Sequence, residues 1–236
     1  MGEFLQATAR FGFLQNALIA GLLAAVACGI VGSFVTVRRI GSAAGAIAHS
    51  TLGGLGAALF VAQRFGIGIT PLQGALVAAL GAAAVVGLMT LYGGQREDTI
   101  LNAVWAVGMA VGVLFIAQTS GYGSDLMSYL FGNILMVRGT DLVLLAVLDA
   151  VIVVVTLLFY TKLQAISFDE EFAWIRGVRV GFFYLLLLGL TALTIVLLLQ
   201  IVGIVMVIAL LTLPAATANL FTRRLSHMIV AAVALC

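Results

Sequence analysis

Residues Phe13 to Val37 read FLQNALIAGLLAAVACGIVGSFVTV, an apolar run without a charged side chain. A hydrocarbon core about 30 Å thick is crossed by roughly 20 helical residues, and a helix is the form in which such a segment satisfies its own backbone hydrogen bonds in lipid. The run is long enough to cross. It is also too long for a signal-peptide core and has no clear cleavage site before the next span, so it reads as a retained first transmembrane helix. Working outward, comparable runs lie near residues 42 to 63, 70 to 93, 99 to 118, 140 to 160, 180 to 200 and 202 to 221. The last two are separated only by Gln200, Ile201 and Val202, which is a tight turn. Ser226 to Cys236 starts an eighth span and supplies about half of a crossing, so the expectation is a chain truncated in its last span. The fold class is all-α: a polytopic transmembrane bundle of seven to eight spans, forming a single domain over residues 1–236.

Composition agrees. With 64% hydrophobic residues, 8% charged residues and a mean hydropathy of +1.26, the chain has too few charges to cover a water-facing surface. The charges gather in short islands between the apolar runs, which marks the loops. A net charge of +2, spread over single or paired basic residues, excludes a nucleic-acid-binding patch. Cys28 lies in the first run and Cys236 at the chain end, so neither a disulfide framework nor a cysteine zinc site is written here.

Leu126 to Val137, LMSYLFGNILMV, is apolar but too short to cross and is placed as a re-entrant or interfacial piece. With that parity, one side carries Arg38, Arg39, Arg96, Lys162, Arg176, Arg179, Arg223 and Arg224, and the other only Arg10, Arg64 and Arg138. The positive-inside bias puts the N-terminus outside and the loop from Thr161 to Arg179 in the cytoplasm. Glycine pairs at small-xxx-small spacing, Gly41 with Gly45 and Gly108 with Gly112, allow close helix packing.

The longest cytoplasmic loop contains AISFDEEFAWIRGVRVG from Ala165 to Gly181 and reads as one amphipathic helix. Asp169, Glu170 and Glu171 fall in its first turn, where carboxylates meet the positive end of the helix dipole, and Gly177 stops it. Phe172 and Trp174 on such a short surface helix invite a partner.

Glu171, Ala173 and Gly177 fit the E-x-A-x-x-x-G pattern of the cytoplasmic coupling helix of ABC-importer permeases. Around it, nearly the whole chain resembles the zinc, manganese and iron uptake family of ABC permeases. The matching stretches are the GSFVTVRRIG turn, IAHSTLGG, Glu97-Asp98, YLFGNIL from Tyr129, FDEEFA and VGIVMVIALLTLPAATA from Val202. The resemblance implies a permease homodimer in the bacterial inner membrane that moves a divalent transition-metal ion inward. It further implies two cytosolic ATP-binding subunits docked on the coupling helices and an extracytoplasmic metal-binding protein that delivers the ion. No G-x-x-x-x-G-K-[ST] loop occurs, so the chain is not the ATPase, needs no cofactor of its own, and ATP belongs to the partner subunit.

Within the spans, His49 is the one ionisable residue of the second run, and its imidazole suits zinc, manganese or iron as a path ligand or gate, or serves as a hydrogen-bonded structural group. Members of the family commonly carry an Asp four residues earlier; Gly45 stands there, which removes the oxygen ligand. Asp149, in mid-span, either replaces that acid in the transport path or faces a structural partner. Pro214 breaks the LTLPAATA run and is either a hinge or a static kink, with Thr212 or Thr217 able to satisfy the freed carbonyl. A competing function is a self-contained secondary cation transporter or channel in which Asp149 and His49 form a relay. An intramembrane enzyme has no support, since H-E-x-x-H and G-x-S-x-G are both missing.

Overall fold

The computed structural model describes residues 11–93, 96–119 and 130–236. Among them the helices run in the order α1 (Gly12–Arg38), α2 (Gly41–Phe65), α3 (Pro71–Tyr92), α4 (Glu97–Ala117), a single 3-10 turn (Ile134–Met136), α5 (Gly139–Phe168), α6 (Glu170–Ile175), α7 (Val180–Phe221) and α8 (Leu225–Leu235). Six of these, α1 to α5 and α7, are long and apolar enough to cross a membrane. Local chemistry sets their ends. Thr70 Oγ1 accepts from Gln73 N and Gln73 Oε1 accepts from Thr70 N, a capping box opening α3 just before Pro71. Glu97 and Asp98 open α4 against its dipole.

At 42 residues, α7 would be about 63 Å long if straight, twice the hydrocarbon thickness. It is not straight. Gly203 sits at φ 74° and ψ 168°, outside the helical region. On the first leg Gly181 faces Leu91 of α3, whereas on the second leg Leu211 faces Gly32 of α1 and Thr212 faces Gly41 of α2. Ile40 and Leu91 line one cavity at the same end of the bundle, so α7 runs out to Gly203 and returns. The two expected spans are therefore present as one bent element, and the reversal is centred on Gly203 and not on residues 200–202. The turn is held by close backbone packing of Gly203 on Leu130, Phe131 and Gly132. Of the expected re-entrant piece the structure describes residues 130–137, including the 3-10 turn; Leu126 to Tyr129 and Arg10 lie outside the described residues.

Packing follows side-chain size, because lipid supplies no hydrophobic drive between helices and close approach has to do the work. α2 is buried on nearly every side over its first turns, where Ala43, Ala44, Gly45, Ala46, Ile47 and Ala48 are all buried. Its neighbours come near enough that a Cβ on Gly54 would lie 2.1 Å from the Gly74 carbonyl of α3, and one on Gly53 2.9 Å from the Gly108 carbonyl of α4. Gly108 and Gly112 thus pack within the chain, against α2. Leu157 and Leu158 of α5, about 70% exposed, are left to lipid.

Two expectations need correction. α5 continues to Phe168, so Thr161 to Phe168 extend a spanning helix and do not form loop, and Phe168 belongs to α5 and not to the surface helix. Around Pro214 the hydroxyls of Thr212 and Thr217 donate to the Ile208 and Leu213 carbonyls, and neither reaches Leu210, the carbonyl that proline leaves free.

Candidate functional site

α6 begins one residue after α5 ends. Asp169 Oδ1 accepts from Phe172 N at 2.9 Å, and Glu170 and Glu171 occupy the first turn. At the other end Gly177 N donates to the Trp174 carbonyl and Val178 N to the Ala173 carbonyl, a Schellman closure with Gly177 at φ 76°. That left-handed position is why the helix stops where the sequence indicates. Ala173 is fully buried and seats the helix, while Phe172 (50% exposed), Trp174 (73%) and Ile175 (75%) form an exposed apolar face. Arg176 lies 5.1 Å from the Phe172 ring centre.

Behind α6 the sequence reading missed a contact. Arg38, from the last turn of α1, pairs with Glu170 Oε2 at 3.0 Å, donates through Nη1 to the Ile166 carbonyl and lies 4.5 Å over the Tyr184 ring. In the sequence it is only one more cytoplasmic arginine.

His49 sits elsewhere, partly buried on α2, its imidazole stacked on the Trp105 indole of α4 with ring centres 4.4 Å apart and planes 7° from parallel. Trp105 Nε1 donates to Met109 Sδ. Among the described residues the imidazole makes no hydrogen bond, so the stack holds it. A Cβ on Gly45 would meet Ile208 Cδ1 at 3.5 Å, ordinary contact. Asp149 is 6% exposed on α5, whose main neighbours are α1 and α7; it lies near Cys28, and its Oδ1 has no hydrogen-bond partner among the described residues. The structure therefore does not bring Asp149 and His49 together as a relay. Among the described residues no three His, Cys, Asp or Glu side chains converge as a metal cluster.

Residues 10–236 match the ABC 3 transport family. The chain belongs to that family. Among its relatives, the "Probable metal transport system membrane protein" of Chlamydia trachomatis is 39% identical over 92% of this chain and 74% of its own length. The "Manganese transport system membrane protein MntC" of Listeria monocytogenes is 34% identical over 97% of this chain and 79% of its own length. A solved structure described as PsaBC from Streptococcus pneumoniae in complex with Fab superposes with a TM-score of 0.85 at 33% identity, covering 99% of this chain and 82% of that one. The ABC 3 family member described here is a multi-pass membrane protein, a component of a transport system and not itself an enzyme.

Proposed function

We propose that this chain is the membrane-spanning permease of an ATP-driven importer for a divalent transition-metal ion, acting as one permease domain in a homodimer. The observation that carries the reading is the capped surface helix α6, whose Phe172, Trp174 and Ile175 are half to three-quarters exposed among the described residues. An exposed apolar patch of this kind marks a protein contact. The occupant proposed is a cytosolic ATP-binding subunit, with Glu171 and Gly177 at the rim of the contact, Asp169 capping the helix and Ala173 anchoring it. The family match and the two relatives named for metal and for manganese transport support the cargo, and manganese is the ion to test before zinc and iron.

In this reading an extracytoplasmic metal-binding protein delivers the ion, His49 faces it in passage and Pro214 supplies a hinge in the second leg of α7. Weak ligation suits the task, because an ion held by several strong donors inside the path would be slow to leave. The separation of Asp149 from His49 counts against a self-contained cation relay.

The test is capture and stimulation of the candidate ATP-binding subunit in lipid discs, comparing the wild type with Glu171→Arg plus Gly177→Trp. Capture by the wild type and its loss in the double variant are expected. Equal behaviour of the two proteins would reject coupling through α6.

A further inference from the structure

Arg38 joins four helices at one point. It leaves the last turn of α1, its Nη1 reaches the Ile166 carbonyl near the end of α5, its Nη2 pairs with Glu170 in α6, and its guanidinium carbon lies 4.5 Å from the Tyr184 ring centre in α7. This is the only ion pair between described residues. The arginine end of the pair is sheltered and the carboxylate end is not: the Arg38 side chain is 12% exposed and lies against the buried Tyr184, whereas the Glu170 side chain is 50% exposed. A guanidinium presents its N–H groups to a carbonyl and a carboxylate from one rigid planar fork, a geometry that a flexible ammonium does not reproduce.

We propose that Arg38 is the positioning residue that carries movement of the surface helix into the α1–α2 hairpin and so to the His49 face. The proposal rests on the reading that α6 receives an ATP-binding subunit. α6 has six residues, and of these only Ala173 is buried, so packing alone gives it little grip on the bundle. Its main neighbours are α5 and α7; the tie to α1 is the Arg38 pair. Room to move exists beside that pair, in a cavity of about 570 Å³ lined by Arg38, Thr90, Glu97, Glu170 and Tyr184 among others.

Downstream the linkage is stiff. Between α1 and α2 stand only Arg39 and Ile40, and Arg39 is held left-handed at φ 61° while Arg39 N and Ile40 N donate to the Thr36 and Val35 carbonyls. A shift of Arg38 therefore moves the start of α2. His49 lies on the same continuous helix about 12 Å further along, at 1.5 Å per residue.

The experiment uses the full transporter in proteoliposomes, with the ATP-binding subunit, the delivery protein and Mn²⁺ as the probe ion, and reads Mn²⁺ taken up per ATP hydrolysed. Arg38→Lys keeps the charge and loses the fork. It is expected to capture the ATP-binding subunit as the wild type does while uptake per ATP falls about tenfold, the scale of one charge-assisted hydrogen bond lost. Glu170→Gln, changed at the half-exposed end of the pair, lowers the same ratio per captured ATP-binding subunit, and adding it to Arg38→Lys costs nothing more. An unchanged ratio in Arg38→Lys, strictly additive losses in the double variant, or failure of folded Arg38→Lys to capture the ATP-binding subunit each overturns the proposal. Should Arg38→Lys fail to fold, Glu170→Gln with an unchanged ratio overturns it by itself. No capture by the wild type overturns both this inference and the coupling reading, whereas capture with unchanged uptake per ATP overturns only the inference.

Discussion

Replacing Gly203 by alanine tests whether the last long helix is a bent pair of spans. The position has φ 74° and ψ 168°, a region open essentially to glycine, and holding an L-residue there costs about 1–3 kcal/mol. Space is the second obstacle. The new Cβ would stand 2.3 Å from the Gly132 nitrogen and 2.5 Å from both the Leu130 oxygen and the Phe131 carbonyl carbon, all backbone atoms with no rotamer to move aside. Such overpacking adds about 1–3 kcal/mol. A total of about 2–6 kcal/mol is a large part of the roughly 5–15 kcal/mol that holds a typical domain together. For a chain of this size that corresponds to a melting temperature lowered by about 4 °C at the least. The assay is thermal unfolding of the purified protein in detergent, followed by the loss of its monodisperse peak in gel filtration. Gly81→Ala in α3 is the control, since a Cβ there meets nothing within 4 Å and alanine favours the helix. A Gly203→Ala protein that melts with the wild type, within about 1 °C, would refute the hairpin and require a different path between the two legs of α7.

Two further outcomes follow from the placement of the intramembrane polar groups. Asp149→Asn replaces a buried carboxyl whose Oδ1 has no partner among the described residues; folding and metal uptake are expected to stay near wild-type values, and a loss of uptake above about tenfold in a well-folded protein would restore the relay reading. His49→Ala gives up a ring stack worth about 0.5–1.5 kcal/mol, so it should lower Mn²⁺ uptake far more than melting temperature; unchanged uptake would make His49 a structural residue only.

The α6 ends show how local chemistry is legible along a chain. Acids before a short apolar segment and a glycine after it specify a capped start and a left-handed stop, and both occur, with Asp169 as the cap and Gly177 at φ 76°. Residues 165–168, expected in the loop with the surface helix, belong to α5 because nothing in LQAISF distinguishes the continuing end of α5 from a separate helix. Trp105 was passed over for a similar reason: an aromatic residue in an apolar run carries no mark of which ring it will meet.

Composition and hydropathy were enough to indicate a helical membrane protein, its spans and its surface helix, because lipid allows few alternatives to helices of about 20 residues and charges have to stay in the loops. What only the tertiary structure decided were relations between distant residues: Gly203 against Gly132, Arg38 with Ile166, Glu170 and Tyr184, His49 on Trp105, and Asp149 kept apart from His49. Spacing within one helix sets which face a side chain occupies, but which helix covers that face depends on close packing between segments far apart in the chain, and in an Ala- and Gly-rich bundle many faces look alike until they are packed.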